Sequence, residues 1–431
     1  VDIQQQEPVE ISELETTENN DLSKSSESIT VDESIAEDIL ATQADTAVVV
    51  GTVSDYLTAK GDAKLYNINL PAGVYLQAQL TTPANADLDY DLYLLDAEGN
   101  ILTGSDYYTY INGTAGTLPE ALGYITSGDT ATYYLYVLAS EGGSVSESFT
   151  LDYSVSTACD SYEIDESVRQ ALAFTYGAGG AYIESRNLSS PIDNDWYVIT
   201  VPSSRIYDKL KISATTASTN TCSVEVYQNV ASEGYQMKRV GSGNTISVSS
   251  GKYYIKVSNA KTMENFDDLD IQNYKLSITP ILKATGIVIT DLKGSEGLNK
   301  VVNYPGYGAH FRTQGSGTLT VYGVLTATDS STGVTYAVGG EQINGLYYSP
   351  AWEANNTSAN AIRRGTGTTD SSGKFEIDIS LPPGIGVYSY YGSTSTHYFD
   401  ICGVSVSPSD DSSISASETI FHLAYTMYHP F

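Results

Sequence analysis

The sequence predicts an all-β protein: three tandem β-sandwich domains, of jelly-roll or immunoglobulin-like type, behind an extended acidic N-terminal arm. Three observations predict it. Apolar residues alternate with polar ones in short runs that are closed by Gly, Pro, Asp and Asn, as half-buried strands require. Tyrosine outnumbers phenylalanine 35 to 8, which suits twisted sheets whose rings lie half buried with the hydroxyl in water. A helical pattern occurs in residues 34–41 alone, where Ile35, Ile39 and Leu40 share a face behind Ser34 and Glu37 at capping-box spacing.

At 431 residues the chain has room for several independent cores. Its 52 acidic and 21 basic side chains leave a net charge of −31, so phosphate would be repelled and neither nucleic acid nor an anionic membrane surface is an expected partner. No apolar run reaches the roughly 18 residues of a membrane span. The opening at Val1 rather than Met is what a mature exported chain would show after loss of a signal peptide, so an extracellular or cell-surface location is expected. Three cysteines are too few for a disulfide scaffold. Cys159 and Cys222 share a domain and are read either as a bridge or as two thiols, and Cys402 in its apolar strand as a small buried hydrophobe.

Taken in order, residues 1–44 form the arm. They carry twelve acidic groups and one basic group, Lys24, with no aromatic residue and no glycine, which is the composition of a disordered tail. Val1/Ile3, Val9/Ile11 and Ile29/Val31 are nevertheless spaced by two, as in strands. The first domain, 45–157, has strands at 47–53, 64–70, 74–81, 90–95, 121–126, 132–138 and 148–155, separated by turns such as Lys60-Gly61-Asp62 and Pro71-Ala72-Gly73. The second, 158–282, repeats it. Residues 195–202 answer 64–71, residues 251–257 answer 131–137, and 274–278 answer 149–153, in the same order. The third, 283–431, has strands near 286–291, 318–328, 374–381, 398–407 and 419–428.

Two of these motifs support a resemblance. Asp91-Leu-Tyr-Leu94 in the first unit and Asp195-Trp-Tyr197 in the second, each followed by a closing Tyr-Tyr strand, resemble bacterial pre-peptidase C-terminal domains over about half the chain. The resemblance implies jelly-roll-like sandwiches appended to secreted enzymes, among them collagen-binding modules, and hence no catalytic activity of their own. The Thr326–Gly333 and Thr369–Phe375 turns of the third domain resemble transthyretin-like or Cna-B-type immunoglobulin-like modules of bacterial surface proteins.

Asp87, Asp89 and Asp91 are spaced by two, so a strand would project all three carboxylates from one face, where a cation would screen them; calcium is the expected ion. All four histidines (His310, His397, His422, His429) lie in the third domain, with Asp400 and Cys402 near His397, but no zinc-protease, nucleophile-elbow or Cys-x-x-Cys pattern accompanies them. Trp196, Trp352 and the tyrosine pairs 107–108, 347–348 and 390–391 suggest either cross-strand core pairs or an aromatic platform. The expected function is that of an exported bacterial structural protein, a subunit of a filament, sheath or surface layer that polymerises by exchange of strands from its arm. An adhesive module for collagen or polysaccharide is the second expectation.

Overall fold

Alternation becomes strand wherever it is sustained. In Lys374–Leu381 every second residue, Phe375, Ile377, Ile379 and Leu381, points inward and the residues between them outward. The computed structural model describes residues 27–28 and, apart from short internal stretches, 48–429. The helical pattern at 34–41 lies outside the described residues. Among the described residues the α-helices are single turns, Pro350–Ala354 and Ser358–Ala361, and no helix is long and apolar enough to cross a membrane. The chain is all-β.

It folds as two compact units, Val1–Ser203 with Lys209–Pro280, and Ser204–Asp208 with Ile281–Phe431. The first two predicted domains therefore share one unit. In the first sandwich, one sheet runs Ala63–Leu70, Ala131–Glu141, Asp89–Leu95, Ile101–Ser105, and the other runs Val48–Asp55, Phe149–Ser156, Tyr75–Thr81, Glu120–Ile125. Between them Leu76, Leu80, Leu92, Leu135, Val137 and Leu151 are fully buried, and Tyr66 and Tyr90 meet Phe149 edge-on at 6.5 and 6.2 Å. The second sandwich has the same order: Asn194–Val201, Gly251–Asn259, Cys222–Asn229, Gln236–Ser242 against Ala181–Leu188, Gln272–Leu282, Tyr207–Thr216, Thr245–Ser247.

The repeat holds down to the register. Leu70 opposes Ala131 and Ile68 opposes Tyr133 in the first sandwich; Val201 opposes Gly251 and Ile199 opposes Tyr253 in the second. It also extends to an edge. Glu27–Ser28 pair in parallel with Tyr66–Asn67, and Leu172–Ala173 pair in parallel with the equivalent Tyr197–Val198. A hairpin from the first sandwich, Tyr108–Ile111 with Thr114–Ala115, continues the sheet of the second beyond Gln236–Ser242, which explains why the two share one unit.

The second unit packs Gly286–Gly294, Gly317–Thr328 and Lys374–Leu381 against Ala416–Tyr428, Ser395–Pro408, Gln342–Tyr348 and Ile362–Thr368. Leu319, Val321, Leu325, Ile343, Ile377, Val404 and Ile420 fill its core.

Candidate metal centre

The buried chemistry of the first unit gathers where the connector between its sandwiches meets both of them. The segment Asp160 to Glu166 supplies four carboxyls, and Asp193, just before strand Asn194–Val201, and Asp195, its second residue, supply two more. Arg186 is ion-paired directly with three of these six, and the buried Lys256 ammonium feels Glu166 as well. Strand Ala181–Leu188 slips register between Ile183 and Arg186, with Ser185 at φ 63°, so the inward position falls on Arg186 instead of Ser185. Arg186 is fully buried. Its Nε donates to Tyr197 Oη at 2.7 Å and its Nη1 to Asp160 Oδ1 at 2.5 Å, while Nη2 donates to Asp165 and lies 3.0 Å from Asp195 Oδ1. Tyr197 donates to Tyr274 at 2.5 Å, and Tyr274 in turn to Asp195 Oδ2.

The first sandwich closes the other side. Tyr75 Oη lies 2.8 Å from Glu163 Oε2 and also against Glu166 Oε1, Gln77 Nε2 donates to Glu166 at 2.7 Å, and Ser190 Oγ donates to Gln77 at 2.6 Å. Gly123 permits this approach: a Cβ there would stand 2.6 Å from Glu166 Cγ and 2.8 Å from Tyr75 Oη. A phenol has one proton and cannot satisfy two carboxylates, so either a carboxyl keeps its own proton or another cation enters.

The electrostatics say the same. Burial, then the charges of Asp193 and Asp195, push Glu163 up to about 9. Burial holds Asp165, Glu166 and Asp195 well above the usual carboxylate range and raises Asp193 against its hydrogen bonds from Ser189. Glu163 Oε1, Asp193 Oδ1 and Asp195 Oδ1 are buried and accept no hydrogen bond; the 3.0 Å approach of Arg186 to Asp195 Oδ1 lacks hydrogen-bond geometry. These three residues each offer an oxygen within 4.8 Å of the others, the group of that kind found among the described residues. An all-oxygen, anionic donor set fits a hard divalent cation such as calcium and offers no nitrogen or sulfur to softer metals.

The predicted triplet is not brought together in this way. Asp87 is exposed in the turn before Asp89–Leu95, so it is not on the strand with the other two. Asp91 is buried, and its Oδ2 accepts from Ser140 Oγ and, at 3.3 Å, from Tyr93 Oη. Two acidic residues spaced by two, Asp193 and Asp195, also stand at the start of strand Asn194–Val201 in the second repeat, where no such triplet is expected from the sequence. Cys159 and Cys222 are both free thiols. Trp196 is core, 5.5 Å from Tyr227, and Tyr347 is fully buried.

In the second unit a smaller polar cluster is sealed in the core. Tyr347 Oη lies 2.7 Å from His422 Nδ1 and 3.1 Å from Cys402 Sγ, and Asp400 Oδ2 accepts from Ser349 Oγ at 2.5 Å and from Cys402 at 3.2 Å. His397 and His429 instead bond Ser395 and Thr396, at 3.1 and 2.8 Å. Burial, opposed by the Asp400 charge, lowers His422 to about 4. An unfolded histidine protonates near 6.5, so between pH 6.5 and 4 the unfolded chain binds the extra proton and stability is lost as the pH is lowered. The loss is about 3 kcal/mol by pH 4. Urea unfolding of the second unit at pH 7 and pH 4.5 should show most of it, and His422→Gln should flatten the difference.

No family model matches the chain. A stretch of 74 residues, 17% of the chain, is 36% identical to the uncharacterized protein YlqB of Bacillus subtilis, and the match spans 46% of that protein, about half its length. Among solved structures, the periplasmic inhibitor of g-type lysozyme PliG from Aeromonas hydrophila aligns at 12% identity over 26% of this chain and 88% of its own, with a TM-score of 0.17. The CUB1-EGF-CUB2 segment of human MASP-1/3 aligns at 11% identity over 54% of this chain and 99% of its own, also at 0.17.

Proposed function

We propose that the chain is an exported bacterial structural protein, a subunit of an extracellular filament, sheath or surface layer, whose first unit is locked by calcium at Glu163, Asp193 and Asp195. The observation that carries this reading is the buried acidic centre in which Glu163 Oε1, Asp193 Oδ1 and Asp195 Oδ1 accept no hydrogen bond, Asp195 Oδ1 meeting Arg186 only as an ion pair, in an all-β chain of net charge −31. Extracellular modules bind calcium with dissociation constants of about 10⁻⁴–10⁻³ M, a range useful outside the cell, where the ion is plentiful. The sandwiches resemble accessory domains of secreted proteins, and no catalytic role is assigned to them.

Assembly through the arm has its own support. Among the described residues, Glu27–Ser28 cover part of the edge of Ala63–Leu70, pairing with Tyr66 and Asn67. An edge that accepts two residues in cis offers backbone donors and acceptors to a strand supplied by a neighbour. The rest of the arm, including Val1/Ile3 and Val9/Ile11, lies outside the described residues. The full chain should form fibres or sheets in millimolar calcium, visible by light scattering and electron microscopy, whereas a chain starting at Asp45 should stay folded and monomeric. Fibres from the shortened chain would end the arm hypothesis.

A further inference from the structure

Strand Ser395–Pro408 does two jobs along its length. Its second half, Gly403–Pro408, pairs with Gln342–Tyr348 inside the sandwich, and its first half, Thr396–Phe399, pairs with Tyr388–Tyr391. Ala416–Tyr428 accompanies it throughout. The first half therefore belongs to a three-stranded ribbon. On one face Tyr391, Thr396 and Met427 lie in one cross-strand row, and Ser389, Tyr398 and Tyr425 in the next.

This is the same side of the sheet that, farther along, buries Cys402, Val404 and Ile420. Here it is open. Tyr391 is 74% exposed, Met427 48% and Tyr425 46%. Tyr425 is also held in place: its ring stacks on Tyr398 with centroids 4.4 Å apart and 18° between planes. The stack restrains a half-exposed ring, so little entropy is lost in holding it on binding. No acidic or basic side chain belongs to either row, in a chain with 52 acidic residues.

That charge pattern selects the ligand. A cationic partner would seek the carboxylates that cover the rest of this chain, and an anionic one would be repelled by its net charge. A neutral polymer with apolar C–H faces and many hydroxyls suits stacked, exposed phenol rings next to the exposed Ser389. We propose that the Tyr391/Tyr398/Tyr425/Met427 face of the second unit binds a neutral polysaccharide. This function is separate from the cation centre and the arm.

The test is affinity electrophoresis of the full chain in native gels containing hydroxyethyl cellulose, dextran, starch or arabinoxylan, with melting curves to verify folding. The wild type should be retarded by at least one of the four, and Tyr391→Ala and Tyr425→Ala should each weaken retardation at least tenfold while the second unit melts as before. If a variant misfolds, Tyr391→Ser, at the most exposed of these tyrosines, replaces it. Absence of retardation in all four gels, or equal retardation of the variants, overturns the proposal. So does sedimentation showing that these tyrosines hold two copies of the chain together, because the face would then be an interface between subunits.

Discussion

Replacing Arg186 by methionine should lower the unfolding free energy of the first unit by about 3–5 kcal/mol, the cost of removing one partner from a buried ion cluster. Asp160, Asp165 and Asp195 all lean on that guanidinium, and each is left with a desolvated carboxylate when it goes. The repeat provides an internal control. Register makes Asp55 equivalent to Arg186 and Lys64 equivalent to Asp195, so the first sandwich holds the same ion pair with its charges exchanged, Lys64 Nζ to Asp55 Oδ2 at 2.7 Å. Tyr66 bonds Asp55 there as Tyr197 bonds Arg186. The Lys64 and Asp55 side chains are 30% and 19% exposed, where Arg186 and Asp195 are wholly buried, so Lys64→Met should cost less, about 1 kcal/mol. Urea unfolding of both variants measures the contrast. Equal costs would mean that burial does not set the energetics of the centre.

Chelation should produce the second large effect. An ion at 100 times its dissociation constant stabilises the native state by about 2.7 kcal/mol. For a unit of this size that is about 5–10 °C in melting temperature. The pH dependence should change as well. Glu163 titrates near 9 in the folded chain and near 4.5 when unfolded, so between those values the folded state holds the extra proton and stability falls as pH rises. Without calcium the first unit should therefore melt lower at pH 8.5 than at pH 6. With saturating calcium the ion replaces the protons and most of that slope should vanish. Calorimetric melts at the two pH values, with calcium and with a chelator, decide it. A slope unaffected by calcium would contradict the assignment.

Much of the fold was legible because period-two alternation is local. The predicted strands at 64–70, 251–257 and 374–381 match observed strands within a few residues, and the duplication inferred from three short matches is reproduced in strand order and register. Strands such as Ile101–Ser105 and Tyr108–Ile111 were missed; they are short, and neither alternates clearly between polar and apolar residues. The split into three domains did not anticipate that the hairpin at 108–115 would join the sheet of the next sandwich, since pairing between distant segments leaves no spacing in the sequence. The acidic centre escaped for the same reason. Its groups come from a connector, a turn, a strand shifted by a bulge at Ser185, and Tyr75 and Gln77 roughly 90 to 120 residues earlier, so only the fold assembles them. What sequence could show was the Asp193-Asn-Asp195 pair, read there only for the aromatic residues that follow it.

The central claim is that Glu163, Asp193 and Asp195 hold calcium, and isothermal titration of calcium into the full chain tests it most directly. Run at pH 8 in two buffers of different ionisation enthalpy, the titration should show binding at this centre with release of protons, because carboxyls that burial keeps protonated must lose them to the ion. That binding and its proton release should be absent from a Glu163→Gln/Asp193→Asn variant that still folds. No calcium-dependent heat in the wild type, or the same heat and proton release in the variant, would contradict the claim.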